Sequence, residues 1–305
     1  MTPRAPLLAI DIGGSSVKLG LRRELADAPP RLEPLGILPH DRPAPEELAR
    51  AVAGSVAVAL SSTRGERSRP AGFALSLPGP VEKGRLLCSD RLGWRELDAG
   101  PIFAAAIGAP ALRVCSDVDT LEAWLDHPTC PPSSSRLELL LGSGVGGLLI
   151  ADGIVRRRRG LGHTPIAPGR SRPSCPSCPS CGEPCLDSTL SAEGLLRAAQ
   201  REGLELTDAR QLDELIRRAP DSSEAHRIAA IFDQAIQGLE SARATLGVER
   251  VRLAGGVAGS RALREALGRH RLAIDVLPEP RDVPWRGLLM LGPSESESDA
   301  AASRR

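Results

Sequence analysis

The pattern that most limits how this chain can fold is an apolar strand that breaks into glycines and resumes as a strand, and it occurs twice. The first copy is 7–21, LLAIDIGGSSVKLGL. Leu7, Leu8, Ala9 and Ile10 make a short apolar run of the kind found in buried strands. Asp11 closes it, and Gly13 and Gly14 allow a tight turn with close backbone approach. Ser15 and Ser16 add hydroxyls, and Lys18 adds a positive charge. Val17, Leu19 and Leu21 then alternate with Lys18 and Gly20, which is the period of a strand. The second copy is 137–153, LELLLGSGVGGLLIADG, with Gly142, Gly144, Gly146 and Gly147 at the turn and Ser143 between them. A strand-end carboxylate, bare backbone N–H groups and hydroxyls suit the phosphate tail of a nucleotide. Two such turns predict two related halves facing each other across that nucleotide.

The chain has 305 residues, enough for two domains of ordinary size. Its net charge of +1 gives no bulk attraction to nucleic acid or membrane. With no Tyr and few other aromatics, stacking platforms for single strands are not expected. No apolar run reaches the ~18 residues of a membrane span. The N-terminus leads straight into the first strand and leaves no room for a signal peptide, so a soluble cytoplasmic protein is expected. In a reducing compartment, clustered Cys point to metal rather than to disulfides. Cys175, Cys178, Cys181 and Cys185 form such a cluster, while Cys88, Cys115 and Cys130 stand alone.

Read in order, residues 22–44 suggest a strand remnant and loop, and 46–61 a helix with Leu48, Val52, Val56 and Leu60 on one face. Strands are expected at 71–77, 84–88 and 112–115, and helices at 102–107 and 118–125. Arg156–Arg159 reads as a solvated charged loop, or more sharply as a loop facing an anion. Further on, Ser191 looks like an N-cap, Thr207 like the cap of a short helix, and Ser222 or Ser223 like the cap of a long helix closed by Gly247. Val251–Ala254 is a strand running into Gly255 and Gly256, Ser260 caps another helix, and 272–277 is a last strand. A short helix at 285–291 precedes a Ser- and Glu-rich tail, 293–305, expected to be disordered. The segment 142–147 also fits G-x-G-x-x-G, but that fingerprint should open a helix, and here a strand follows, which argues against a dinucleotide.

Taken together, DIGGSSVK at 11–18, LPGP at 77–80, LGW at 92–94, SD at 116–117, GSGVGG at 142–147, GLGH at 160–163, CGEPCLD at 181–187 and AGGVAGS at 254–260 resemble the ROK family of bacterial sugar kinases and sugar-responsive repressors. The resemblance implies a two-domain, actin-like (ribonuclease H-like) α/β fold with ATP in an interdomain cleft. The domains would be 1–117, completed by the helix at 285–291, and 118–284. ROK repressors carry an N-terminal helix-turn-helix, and the first glycine turn here starts too early for one, so the kinase branch is implied.

The expected activity is ATP-dependent phosphorylation of a hexose or N-acylated amino sugar, with Asp117 as general base for the attacking hydroxyl. The alternative reading of Asp117 is a helix N-cap. Asp11 would help hold Mg²⁺, usually through water. Gly13, Gly14, Ser15, Ser16, Lys18, Gly142, Ser143, Gly144 and Gly146 would contact the phosphates, and Gly255 and Gly256 would lie under the adenosine. Gly79, Ser116, Asp117, His163 and Asp187 would line the sugar site. His163, Cys178, Cys181 and Cys185 would hold a structural Zn²⁺, with Cys175 competing for a place. A homodimer is implied as well. The sequence departs from the family at Ser116 (usually Asn), Gly160 (usually Glu) and Asp187 (usually Glu). These changes leave room for a sensor that binds without phosphorylating. Polyphosphate as donor is a further alternative, since DIGGSxxK resembles the turn of such enzymes.

Overall fold

In a computed structural model, the residues described are 5–24, 30–62, 69–125, 135–157, 160–166, 177–270 and 274–291. The chain divides into two compact units, Met1–His127 with Pro284–Arg305, and Pro128–Val283.

The first unit opens with β1 (Leu7–Ile12), β2 (Ser16–Arg23) and β3 (Arg31–Pro39), an antiparallel trio. After α1 (Pro45–Ser62) come β4 (Gly72–Leu77), the short strands β5 (Val81–Glu82), β6 (Arg85–Ser89) and β7 (Trp94–Leu97), then α2 (Ala99–Ile107), β8 (Ala111–Ser116) and α3 (Asp117–Leu125). The main sheet has the order β3-β2-β1-β4-β8, with β1, β4 and β8 parallel. Strands β5, β6 and β7 form a separate small sheet. The residues expected to be loop at 31–39 are thus a nine-residue edge strand. Its Pro34 and Pro39 are compatible with that place because an edge strand can spare backbone donors. Pro45 and the acidic Glu46 and Glu47 suit the first turn of α1, where no N–H partner is needed and the dipole favours negative charge. That helix buries Leu48, Ala49, Val52 and Val56 against Leu8, Ile10, Ile12, Leu19 and Phe73 of the sheet.

The second unit repeats the plan. Its strands are β9 (Ser135–Leu141), β10 (Val145–Ala151) and β11 (Ile154–Arg157). A 3₁₀ turn (Leu161–His163) follows, then α4 (Leu186–Leu190), α5 (Ala192–Arg201), α6 (Arg210–Arg218) and α7 (Ser223–Leu246). Next come β12 (Arg250–Ala254), a second 3₁₀ turn (Val257–Gly259), α8 (Arg261–His270) and β13 (Ile274–Val276). The sheet order is β11-β10-β9-β12-β13, with β9, β12 and β13 parallel. In both units an antiparallel trio is extended by parallel strands that arrive through helices. Ser222 caps α7 by accepting the N–H of Ala225, and Ile228, Ile231, Phe232, Ile236 and Leu239 carry its apolar stripe into the core. Thr207 does not cap α6: Gln211 reaches back to the N–H groups of Thr207 and Asp208 instead.

The last helix, α9 (Val283–Met290), returns to the first unit. Its Trp285, Leu288 and Leu289 pack on Ala9 and Cys115, on the sheet face opposite α1, and Arg22 donates to the carbonyl of Leu289 at 3.0 Å. Trp285 is 1% exposed. Trp285→Ala should therefore cost about 3–5 kcal/mol in chemical denaturation of the full chain. A loss below about 1 kcal/mol would show that α9 is not what closes this face.

Candidate functional site

In the first unit, the candidate residues gather at the carboxyl ends of the parallel strands, where open α/β sheets place their ligands. Asp11 lies opposite Lys18 on β2 and Ser76 on β4. Lys18 Nζ sits 2.8 Å from Asp11 Oδ2, and Ser76 Oγ donates to Oδ1 at 2.7 Å. Asp11 is 2% exposed, so this burial of charge is balanced by one ammonium and one hydroxyl. Both oxygens are engaged in this way. The charge compensation at the end of β1 comes from Lys18.

Gly13 closes the β1–β2 turn by donating its N–H to the Ser16 carbonyl at 2.8 Å. His40 braces the turn, with Nε2 3.1 Å from the Gly13 carbonyl and its N–H bonded to the Ser15 carbonyl at 3.0 Å. Burial holds the His40 imidazole below its usual pKa, against the opposing effect of that carbonyl. Gly14 and Ser15 belong to the same turn, and Ser16 is the first residue of β2. Gly79 follows β4, with its N–H on the Leu77 carbonyl at 3.0 Å.

Asp117 is the first residue of α3, directly after β8. Ser116 Oγ donates to Asp117 Oδ1 at 3.2 Å and accepts the N–H of Val118 at 3.4 Å. Asp119 accepts the Ser116 N–H at 3.1 Å, and Thr120 Oγ1 donates to the Asp117 carbonyl at 2.5 Å. Ser116 and Asp119 thus supply much of the end chemistry of α3. The Asp117 carboxyl is pushed from 3.8 to about 7, first by burial and then by the negative charge of Asp11, against the Ser116 and Val118 hydrogen bonds and the Lys18 charge. The residue keeps some exposed surface. A carboxyl with these properties can exchange a proton near neutral pH.

In the second unit the β9–β10 turn is tighter than 142–147. Gly142 donates to the Gly144 carbonyl at 2.9 Å, and β10 already begins at Val145, so Gly146 and Gly147 lie in the ladder. Ser143 and Gly144 form the tip. Val145 N–H donates to Asp187 Oδ1 at 2.8 Å, and Ala192 N–H donates to the Gly142 carbonyl at 2.8 Å. Gly255 donates to the Pro280 carbonyl at 2.6 Å, and Gly256 precedes the second 3₁₀ turn. The first N–H groups of α8, on Arg261 and Ala262, are taken by Asp213 of α6 at 3.2 and 3.1 Å. This helix end is therefore satisfied by a carboxylate of the chain itself rather than left for a phosphate. An open cavity of about 240 Å³ lies beside that turn, lined by Gly259, Arg264, Glu279, Pro280, Arg281 and Asp282.

His163, Cys178, Cys181 and Cys185 bring one ligand atom each to within 4.8 Å of one another. His163 Nδ1 is 3.6 Å from Cys178 Sγ and 3.8 Å from Cys185 Sγ. A tetrahedral Zn²⁺ with the usual bond lengths has N–S and S–S edges of about 3.6–3.8 Å, so the donor set fits that ion by chemistry and spacing. The Cys178 thiol stands below its usual pKa. Burial raises it, but the N–H groups of Cys181 and Ser180, with hydrogen bonds from Cys185 and Cys181, outweigh that effect. Burial, with the Cys178 charge adding to it, pushes Cys185 up to about 12 despite a bond from the Ser188 N–H. Cys175 lies outside the described residues. Gly160 has φ 69° and starts the 3₁₀ turn that carries His163. A Glu at that position would have to adopt a left-handed backbone.

Sequence reasoning missed His40, Ser76 and Asp119. The Asp11–Lys18 pairing had a usable signal, since a hairpin centred on Gly14–Ser15 sets 11 opposite 18.

The ROK family model matches residues 7–274. A transcriptional regulator of Mycobacterium tuberculosis is 30% identical over 225 residues, covering 71% of this chain and 48% of that protein. The chain thus spans about half the length of the curated relatives it matches. Among solved structures, a ROK hexokinase from Thermus thermophilus superposes with a TM-score of 0.59 at 21% identity, over 97% of this chain and 99% of that one. A ROK family glucokinase from Streptomyces griseus, in complex with glucose and AMPPNP, gives 0.63 at 17% identity, over 94% and 99%. The fold is the actin-like α/β fold of these sugar kinases. Among the described residues no helix is long and apolar enough to cross a membrane.

Proposed function

Because the chain belongs to the ROK family, we propose that it transfers the γ-phosphoryl group of ATP to a hydroxyl of a hexose or N-acylated amino sugar. The observation that carries this reading is Asp117, a carboxyl at the end of β8 with its pKa pushed to about 7. A sugar hydroxyl is a poor nucleophile, and a base poised near neutral pH takes its proton as the γ-phosphate is attacked in line. Ser116 orients the carboxylate through its hydroxyl. Lys18 offsets the charge of Asp11, which would otherwise repel an incoming phosphate. With the N–H groups of Gly13 and Gly142 used inside their own turns, Gly14, Ser15, Ser143 and Gly144 would present backbone N–H groups and hydroxyls to the phosphates. The adenosine would rest near Gly255 and Gly256, beside the cavity at Arg264 and Arg281. His163, Cys178, Cys181 and Cys185 would hold Zn²⁺, whose part is to pin the loop that carries them.

A second reading has specific support. The chain would bind sugar or nucleotide as a sensor without transferring phosphate. The regulators among its relatives favour this, as does the engagement of Asp11 by Lys18 and Ser76 and of Asp187 by Val145. Gly160, in the place of a sugar-binding Glu, points the same way.

The test is phosphoryl transfer from ATP, and separately from polyphosphate, with Mg²⁺ across a panel of hexoses and N-acetylhexosamines. The expected result is turnover of one sugar class with ATP. Sugar or nucleotide binding by calorimetry with no turnover on the whole panel would replace the kinase reading with the sensor.

A further inference from the structure

Asp187 was expected at the sugar. Its carboxylate is 4% exposed and faces two other parts of the second unit. Oδ1 accepts the Val145 N–H at 2.8 Å, and Oδ2 lies 4.0 Å from Cys178 Sγ. Asp187 also sits two residues after Cys185, in the first turn of α4. Two further ties join the same partners. The 3₁₀ turn bearing His163 lies so close to Val145 that a Cβ on Gly162 would come within 2.0 Å of the Val145 carbonyl. Ala192, just after α4, donates to the Gly142 carbonyl at 2.8 Å. The elements that carry His163 and Cys185 therefore hold the β9–β10 turn from its carbonyl side and its N–H side.

We propose that Asp187 is a positioning residue that links the Cys₃His metal site to the β9–β10 turn, so that metal occupancy sets the order of that turn and its affinity for the nucleotide phosphates. A pinned Cys185 fixes the start of α4, and α4 fixes the carboxylate that holds Val145. Release of the thiolates frees α4 to shift, and the Val145 N–H loses its fixed acceptor. A carboxamide at 187 can still accept that N–H, whereas a methyl cannot.

The nucleotide arm of the test rests on the kinase reading, and the exchange arm does not. Amide hydrogen exchange of the 142–147 segment is measured by mass spectrometry, and ADP affinity by calorimetry. The proteins are wild type loaded with zinc, wild type stripped by chelator, Asp187→Ala and Asp187→Asn, each with its zinc content determined. Stripping should speed exchange at the turn and weaken ADP binding by about tenfold, a typical coupling between sites. Asp187→Ala should show both effects while retaining its zinc, and Asp187→Asn should behave as the loaded wild type. Unchanged exchange in zinc-loaded Asp187→Ala overturns the proposal. If that variant does not fold, unchanged exchange at the turn of stripped wild type overturns it equally. Zinc-dependent exchange in a protein that binds no ADP leaves the linkage standing and removes the kinase reading instead.

Discussion

Asp117→Asn is expected to lower phosphoryl transfer by about 10²–10⁴-fold, the usual contribution of a positioned general base, with sugar and nucleotide affinity nearly unchanged. The substitution keeps shape and removes the proton acceptor. In the wild type, kcat/KM should climb as pH rises through about 7, where the carboxyl ionises. The same shift has a stability consequence of opposite sense. Between pH 3.8 and about 7 the folded protein keeps a proton on Asp117 that the unfolded chain has released, so its contribution to stability falls as pH rises through that window. Asp117→Asn should remove this component. Denaturation curves across pH 4–8 check it, and a wild type minus mutant difference that grows with pH would refute the assigned environment. A variant that turns over sugar within tenfold of wild type would show that another group carries the proton.

Removal of zinc is the second large effect. Four ligands drawn from the 3₁₀ turn and the loop before α4 are joined through one ion, and binding to the folded state alone stabilises by about 3–4 kcal/mol when ion exceeds Kd by 10²–10³. For a unit of this size that corresponds to a fall in Tm of roughly 6–15 °C on chelation, restored by added Zn²⁺. The unit should not unfold at room temperature, because most of its core is supplied by elements that carry no ligand, among them β9, β12, α7 and α8. The expected signature is thus a lower Tm with far-UV circular dichroism at 25 °C nearly unchanged. Purified protein without zinc, and with no response to it, would sink the metal assignment.

What was legible in the sequence was whatever chemistry is local. The β1–β2 hairpin could be read because alternation, a glycine pair and a charge all fall within a few residues. The gathering of His163 with Cys178, Cys181 and Cys185 could be read because Cys at short spacing in a chain of this kind has few other uses. The duplicated plan could be read from two glycine turns. What stayed hidden depends on partners far along the chain. Ser76 matters because parallel pairing sets it beside Asp11, and nothing near Ser76 announces that register. β3 was hidden because two prolines and a glycine mask an edge strand. Asp187 was assigned to sugar through family likeness, while its acceptor role toward Val145 depends on a turn more than forty residues away in sequence. Thr207 was misjudged because Asp208 takes the first N–H of α6, on Arg210, while Gln211 reaches back to the N–H groups of Thr207 and Asp208 ahead of the helix.

The return of α9 to the first sheet bears on the order in which the molecule is made. The second unit is continuous in sequence, so all of its strands and helices are translated before α9 is complete. The first unit is the older segment of nascent chain, yet Ala9 and Cys115 lack their cover until Trp285, Leu288 and Leu289 emerge. Of the two units, the one translated earlier is therefore the one finished last, and during elongation its sheet presents an apolar face still short of its cover, of the sort that chaperones recognise.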